Sequence, residues 1–193
     1  MPLTKAKTFT PTLALNKYEA GHYYTLPIIG TTTGGANAGN LVAYPMYFPT
    51  INIDRIGCIV TSAGGAGSLG RLGIYYPSLT ACYPGQLLLD AGTVSVSATG
   101  NREITISQSL TEGFYWLAYL ADTVVGSAPV VRQHSSYINS NAPITSANST
   151  AFQTGSFFRI GSQPAGSLPN PFPAGATDVA ASGGCHIIYT RIA

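Results

Sequence analysis

Charge is what this chain has least of. Of its 193 residues, 8% are Asp, Glu, Lys or Arg and 45% are hydrophobic; soluble globular domains carry about 25% charged residues. Little on such a surface opposes association, so the composition points to a protein whose surface is committed to neighbours. A membrane span would also suit it, but no apolar run approaches the roughly 20 residues a spanning helix needs. The opening Met1-Pro2-Leu3-Thr4-Lys5-Ala6-Lys7 lacks the apolar stretch of a secretory signal, so assembly in a cytoplasm is expected. Cys58, Cys82 and Cys185 are too few and too scattered for a disulfide scaffold or a zinc site, and read as free thiols suited to that reducing setting. There is no amphipathic helix of useful length and no heptad repeat.

Patterns that carry chemistry are missing as well. Glycan hydrolysis needs two carboxylates held across a bond. Asp54 and Asp90 sit in or at the ends of strand patterns, and Glu103 and Glu112 flank the run around Ile104; no local pattern pairs any two of them. His22, His134 and His186 are far apart and lack metal-site spacing. There is no Gly-x-Ser-x-Gly elbow, and the glycines of 64–70 lack the Lys-Ser/Thr of a phosphate loop. The expectation is a non-enzyme with no catalytic residue, metal or cofactor. Asn148-Ser149-Thr150 matches a glycosylation acceptor, discounted in the absence of a secretory signal.

What charge there is lies unevenly. All three lysines, Lys5, Lys7 and Lys17, fall in the first 17 residues, where there is no acid. From Tyr18 onward six arginines face seven acids, so the body is one charge negative and gives nucleic-acid binding little electrostatic basis. Residues 1–20 carry Pro2 and Pro11, several threonines and no helical period, and read as an extended basic arm. Two placements are open for it: docked on its own domain, or ordered against another subunit.

Residues 21–193 read as one all-β domain. Tyr23–Ile29 is strand-like but holds Pro27, which suits an edge. Residues 31–39 read as a loop, Leu41–Phe48 as a strand, and Ile53–Thr61 as a strand with Asp54, Ile56, Cys58 and Val60 on one face. Residues 62–70 read as a hairpin-type connection before a strand at Arg71–Tyr76. Leu87–Asp90 and Thr93–Ser97 read as short strands about a bulge or turn at Gly92. Glu103–Ser109 alternates, with Ile104 and Ile106 inward. Phe114–Leu120 is apolar on both faces, as in a central sandwich strand. Val124–Val131, Ser156–Ile160 and His186–Ile192 complete the set, and the long segments 135–151 and 163–175 read as interaction loops. Many short strands with Gly/Pro turns argue for an antiparallel sandwich or jelly roll.

These residues also carry a resemblance. Asp54-Arg55-Ile56, the Gly/Ala loop after it, Arg71–Tyr75, Pro84-Gly85 with Leu87, Asp90–Val94, and Ser109-Leu110 with Gly113 and Tyr115–Ala118 resemble a β-sandwich module of tailed-bacteriophage virion proteins. The resemblance covers roughly residues 40–120. It implies a carbohydrate-binding-like jelly roll, a homotrimer, and a place in capsid decoration (cement) proteins or at the tips of head or tail fibres; it transfers no catalytic residue and no defined sugar site. A short basic arm before a compact body, without a shaft, favours decoration of the capsid exterior. The expected partner is then the major capsid protein, with Lys5, Lys7 and Lys17 meeting acidic shell while Thr8, Thr10 and their backbone add a strand to an exposed edge. Under the fibre alternative the partner is a host-surface glycan or receptor, met by loops 135–151 and 163–175. Neither reading involves nucleic acid or a membrane.

Overall fold

The computed structural model describes residues 18–25, 28–81, 83–137, 157–178 and 185–193. In chain order the strands are β1 (Tyr23–Tyr24), β2 (Ile28–Gly35), β3 (Leu41–Phe48), β4 (Ile51–Ser62), β5 (Leu69–Pro77), β6 (Pro84–Ser95) and β7 (Gly100–Leu110). They continue with β8 (Gly113–Thr123), β9 (Val130–Tyr137), β10 (Phe158–Ile160), β11 (Thr177–Asp178), β12 (Cys185–His186) and β13 (Ile188–Ile192). All pairings are antiparallel, and no helix occurs among the described residues.

Eight of these strands form the frame. One sheet contains β1-β13-β4-β7, with β4 flanked by β13 and β7. The facing sheet contains β3-β8-β5-β6. Taken in chain order, the frame strands pass between the sheets as two interlocked Greek keys, which is jelly-roll connectivity. The remaining strands lie in two insertions. One, between β1 and β3, contributes β2; the other, between β8 and β13, contributes β9 to β12. β2 pairs with β9, and β9 continues the first sheet beyond the end of β4. β10 and β11 extend the second sheet beyond β3.

β8 explains why a strand can be apolar on both faces. Tyr115, Leu117, Tyr119 and Ala121 enter the core between the sheets, against Ile53, Ile56, Cys58 and Val60 of β4 and Ile188 of β13. Trp116, Ala118 and Leu120 point the other way, into a second core closed by Phe158, Leu168 and Phe172. Each large side chain so buried is worth about 1.5–3 kcal/mol relative to exposure. The Pro-rich segment 163–175 is therefore part of the body: it lies over the outer face of the second sheet.

Several expectations change at this level. Residues 31–35 belong to β2 rather than to a loop; consecutive threonines suit a pleated strand, and β9 supplies the ladder. The 62–70 connection is not a hairpin, since β4 and β5 lie in different sheets. It is tied down by Gly64 N–H to Val96 O (3.0 Å) and Val96 N–H to Ser68 O (3.0 Å). The two short strands about Gly92 are one strand, β6. The bulge expected there is present: Leu72 faces Gly92 while Gly73 faces Asp90, and Gly92 has φ +89°. Val124–Pro129 turns between β8 and β9, and the closing run divides into β12 on β9 and β13 on β4.

The inward face of β4 also departs from simple alternation. Arg55 pairs with Arg191 of β13 and Ile53 with the next residue, Ile192, which leaves Asp54 as the extra residue of a bulge. Ile53 and Ile56 both reach the core, and Asp54 turns outward, against the face expected for it. From Ile56 through Val60 the alternation holds.

Candidate functional site

The five proposed arm contacts, Lys5, Lys7, Thr8, Thr10 and Lys17, lie outside the described residues. The described chain begins at Tyr18, which is already part of the body. Its ring packs 4.5 Å from that of Tyr24 and 6.3 Å from that of Phe48, and its hydroxyl donates to Tyr47 O at 3.0 Å. The chain thus enters beside β1, whose described partner is β13 alone.

Most arginines of the body are used within it. Arg71 donates from Nε to Asp122 (2.8 Å) and from Nη1 to Asp90 (3.0 Å). Arg191 makes a two-pronged pair with Asp54, with Nε at 2.9 Å from Oδ1, and Arg55 lies 4.0 Å from the same carboxylate. Arg102 donates to the carbonyls of Ala98 (3.0 Å) and Thr99 (2.6 Å). The Arg191 hydrogen bond holds the Asp54 carboxyl below its usual range.

The Arg71 cluster brings two carboxylates together, and its chemistry is that of a clasp. Asp90 accepts the backbone N–H of Gly92 (2.9 Å) and of Leu168 (3.0 Å); Asp122 accepts that of Gly166 (2.9 Å). Burial alone would raise the Asp122 carboxyl, but the Arg71 and Gly166 hydrogen bonds outweigh it and keep the group below its ordinary value. A general acid for glycoside cleavage needs the opposite shift. Both carboxylates instead hold segment 163–175 on the sheet. Tyr75 and Tyr83 assist by donating to the carbonyls of Pro169 (2.9 Å) and Pro173 (2.6 Å).

Two histidines and two cysteines of the described residues belong to the core, while His22 is exposed. His134 and His186 are buried on neighbouring strands, edge-on to the rings of Tyr44 and Tyr119. Burial lowers both to about 4. Cys58 and Cys185 are free and buried, and burial pushes the Cys58 thiol up to about 12. Cys82 lies outside the described residues. Among the described residues no three His, Cys, Asp or Glu side chains are placed to hold a metal ion.

Among the described residues, an arrangement suited to a ligand lies on the outer face of the first sheet. A groove of about 340 Å³ opens between β1, the end of β4, the start of β7 and β9. Gly57 creates its floor: having no side chain, it lets the Tyr189 ring lie across β4 toward β7. Tyr23 stands edge-on to Tyr189, with ring centroids 5.5 Å apart, and is half exposed at 49%. The two hydroxyls converge on Glu103, Tyr189 at 3.2 Å and Tyr23 at 3.4 Å. Arg191 sits 5.9 Å from the Tyr23 ring centre. Asn101 and Arg132 border the groove with exposed side chains, and Arg132 has no ion pair among the described residues. Sequence reading missed this site because its members come from five strands that are distant along the chain. The alternation of Tyr189 and Arg191, two residues apart on one face, was the one local sign.

No protein-family model and no curated protein matches the chain. Among solved structures it is similar to the cysteine protease and lectin-like domains of Cwp84, a surface-layer-associated protein of Clostridium difficile. Identity is 11% and the TM-score 0.49; the match covers 84% of this chain and 36% of that one.

Proposed function

We propose that this protein is a structural component of a bacteriophage virion: a capsid decoration protein that binds and stiffens the shell, with the basic arm as its clamp. The observation that carries this reading is how charge is divided between arm and body. The body's arginines Arg55, Arg71, Arg102 and Arg191 are engaged by its own carboxylates and carbonyls, whereas Lys5, Lys7 and Lys17 precede the sandwich in a segment without acids. Cationic contact with an acidic shell then falls mainly to the arm, and the jelly roll supplies a rigid, charge-poor body for lateral contacts. The phage-module resemblance of residues 40–120 supports the same setting. A homotrimer would multiply a weak arm contact through avidity, with the major capsid protein as partner.

A fibre-tip role would use loops 135–151 and 163–175 for recognition. The second of these is strapped to the sheet by Asp90, Asp122, Tyr75 and Tyr83, which favours decoration over that version of the alternative.

The test is co-sedimentation with capsid shells that lack this protein, comparing the full chain with one that starts at Tyr18. Saturable binding of the full chain, lost on truncation and weakened by salt, is the expected result. Equal binding by both forms removes the clamp; binding by neither removes the decoration role.

A further inference from the structure

We propose that the Tyr23 groove is a binding site for a saccharide that carries a carboxylate, such as a sialic or uronic acid residue. The proposal does not rest on the decoration role. Its size, about 340 Å³, lies at the small end of the roughly 300–1,000 Å³ typical of ligand sites.

Three features select the ligand. The first is an aromatic platform. Tyr23 is half exposed and is braced by Tyr189 behind it and by the Arg191 guanidinium beside it, so its ring keeps one orientation before anything binds. A pyranose presents a face of C–H groups that can cover such a ring and remove apolar surface from water. The second is a set of polar groups at the platform's margin. The Tyr23 and Tyr189 hydroxyls give their protons to Glu103, which leaves their oxygens free to accept from sugar hydroxyls. Asn101 offers both donor and acceptor from the β7 side.

The third is the local charge. Asp54 is engaged by Arg191 and Arg55, and Glu103 accepts from two hydroxyls. Arg132 alone among the charged groups bordering the groove is exposed and without an ion pair among the described residues. Its planar fork matches a carboxylate in two-pronged geometry. The ring of the sugar therefore rests on Tyr23 and its carboxylate faces Arg132.

The test uses the full chain with N-acetylneuraminic acid, D-glucuronic acid and the neutral methyl β-D-glucoside, followed by saturation-transfer NMR and titration calorimetry. The expected result is saturable millimolar binding of at least one acidic sugar, about tenfold tighter than the neutral one. Tyr23→Ala and Arg132→Ala should each weaken it about tenfold or more, whereas Tyr23→Phe, which keeps the platform, should stay within about threefold. Melting curves establish that each variant is folded; Tyr23 and Arg132 are surface residues, so little change is expected. No binding of either acidic sugar overturns the proposal. So does equal binding of the neutral sugar, or acidic-sugar binding that folded Tyr23→Ala and Arg132→Ala variants leave unchanged.

Discussion

The ring of Tyr189 occupies the space that a side chain at Gly57 would need. A Cβ added at Gly57 would stand 2.6 Å from Tyr189 Cζ and 2.7 Å from the carbonyl oxygen of Arg102, one a ring atom and the other backbone. Gly57→Ala should therefore push the ring away from the sheet and strain the β4–β7 ladder. A loss of about 1–3 kcal/mol is expected, as for other overpacked sites. Urea unfolding of the two proteins measures it directly. An unchanged midpoint would mean that the ring rests there for reasons other than the missing side chain.

Removing one member of the Arg71 clasp should release the segment it holds. Asp122→Ala leaves a guanidinium that is 13% exposed with one of its two carboxylates gone, and deprives the Gly166 N–H of its acceptor. Breaking such a pair on one side costs about 3 kcal/mol or more when the remaining charge is buried, and less here because Asp90 remains. Limited proteolysis supplies the more specific readout: new cleavage within 163–175 is expected in the variant and not in the parent.

Acid should destabilise this fold from its interior. His134 and His186 are buried as neutral rings with values near 4; burial is the cause for both, and the charge of Arg159 adds to it for His186. An unfolded histidine titrates near 6.5. Between those values the unfolded chain binds protons that the folded chain does not, so stability is complete above about pH 6.5 and declines as pH falls toward 4. At pH 5 the loss is about 2 kcal/mol for each histidine relative to pH 8. Denaturant unfolding at the two pH values tests the sign, and a His134→Gln/His186→Gln protein should show a flatter profile. Equal stability of the parent at both values would contradict this account.

The two core thiols should be silent in the native protein. Cys58 and Cys185 are fully buried, and burial raises both, Cys58 to about 12, so thiolate is scarce at neutral pH. A thiol reagent should reach them at the rate of global unfolding, with mass spectrometry assigning the modified positions. Rapid native labelling of either would place an opening in the core that the packing does not show.

The frame was legible from local pattern where burial is one-sided or complete. β3 and β8 were readable because nearly every residue is apolar and the stops at Pro49 and Gly113 are unambiguous. Partners were less legible, since the same threonines of residues 31–33 suit a loop or an edge strand until β9 is seen beside them. The Asp54 bulge illustrates a second limit: one extra residue changes which side chain faces inward, and nothing in the run Ile53–Val60 announces it except an acid where an apolar residue would fit. The groove depends on cross-strand neighbours such as Tyr23 and Arg191, separated by most of the chain, and single-sequence periodicity does not reach that far.

The position of β13 has a consequence for biosynthesis. Its residues Ile188–Ile192 stand between β1 and β4, so β1 joins its sheet through a strand synthesised much later along the chain. Until then one edge of β4 and the whole of β1 wait without their partner among the described strands, and the chain resembles a book whose spine is sewn after its pages. Closure of this sheet is therefore expected only once β13 has been made, at the slow pace of distant strand pairing, with the unpaired β4 edge as the surface on which chaperones or premature self-association would act.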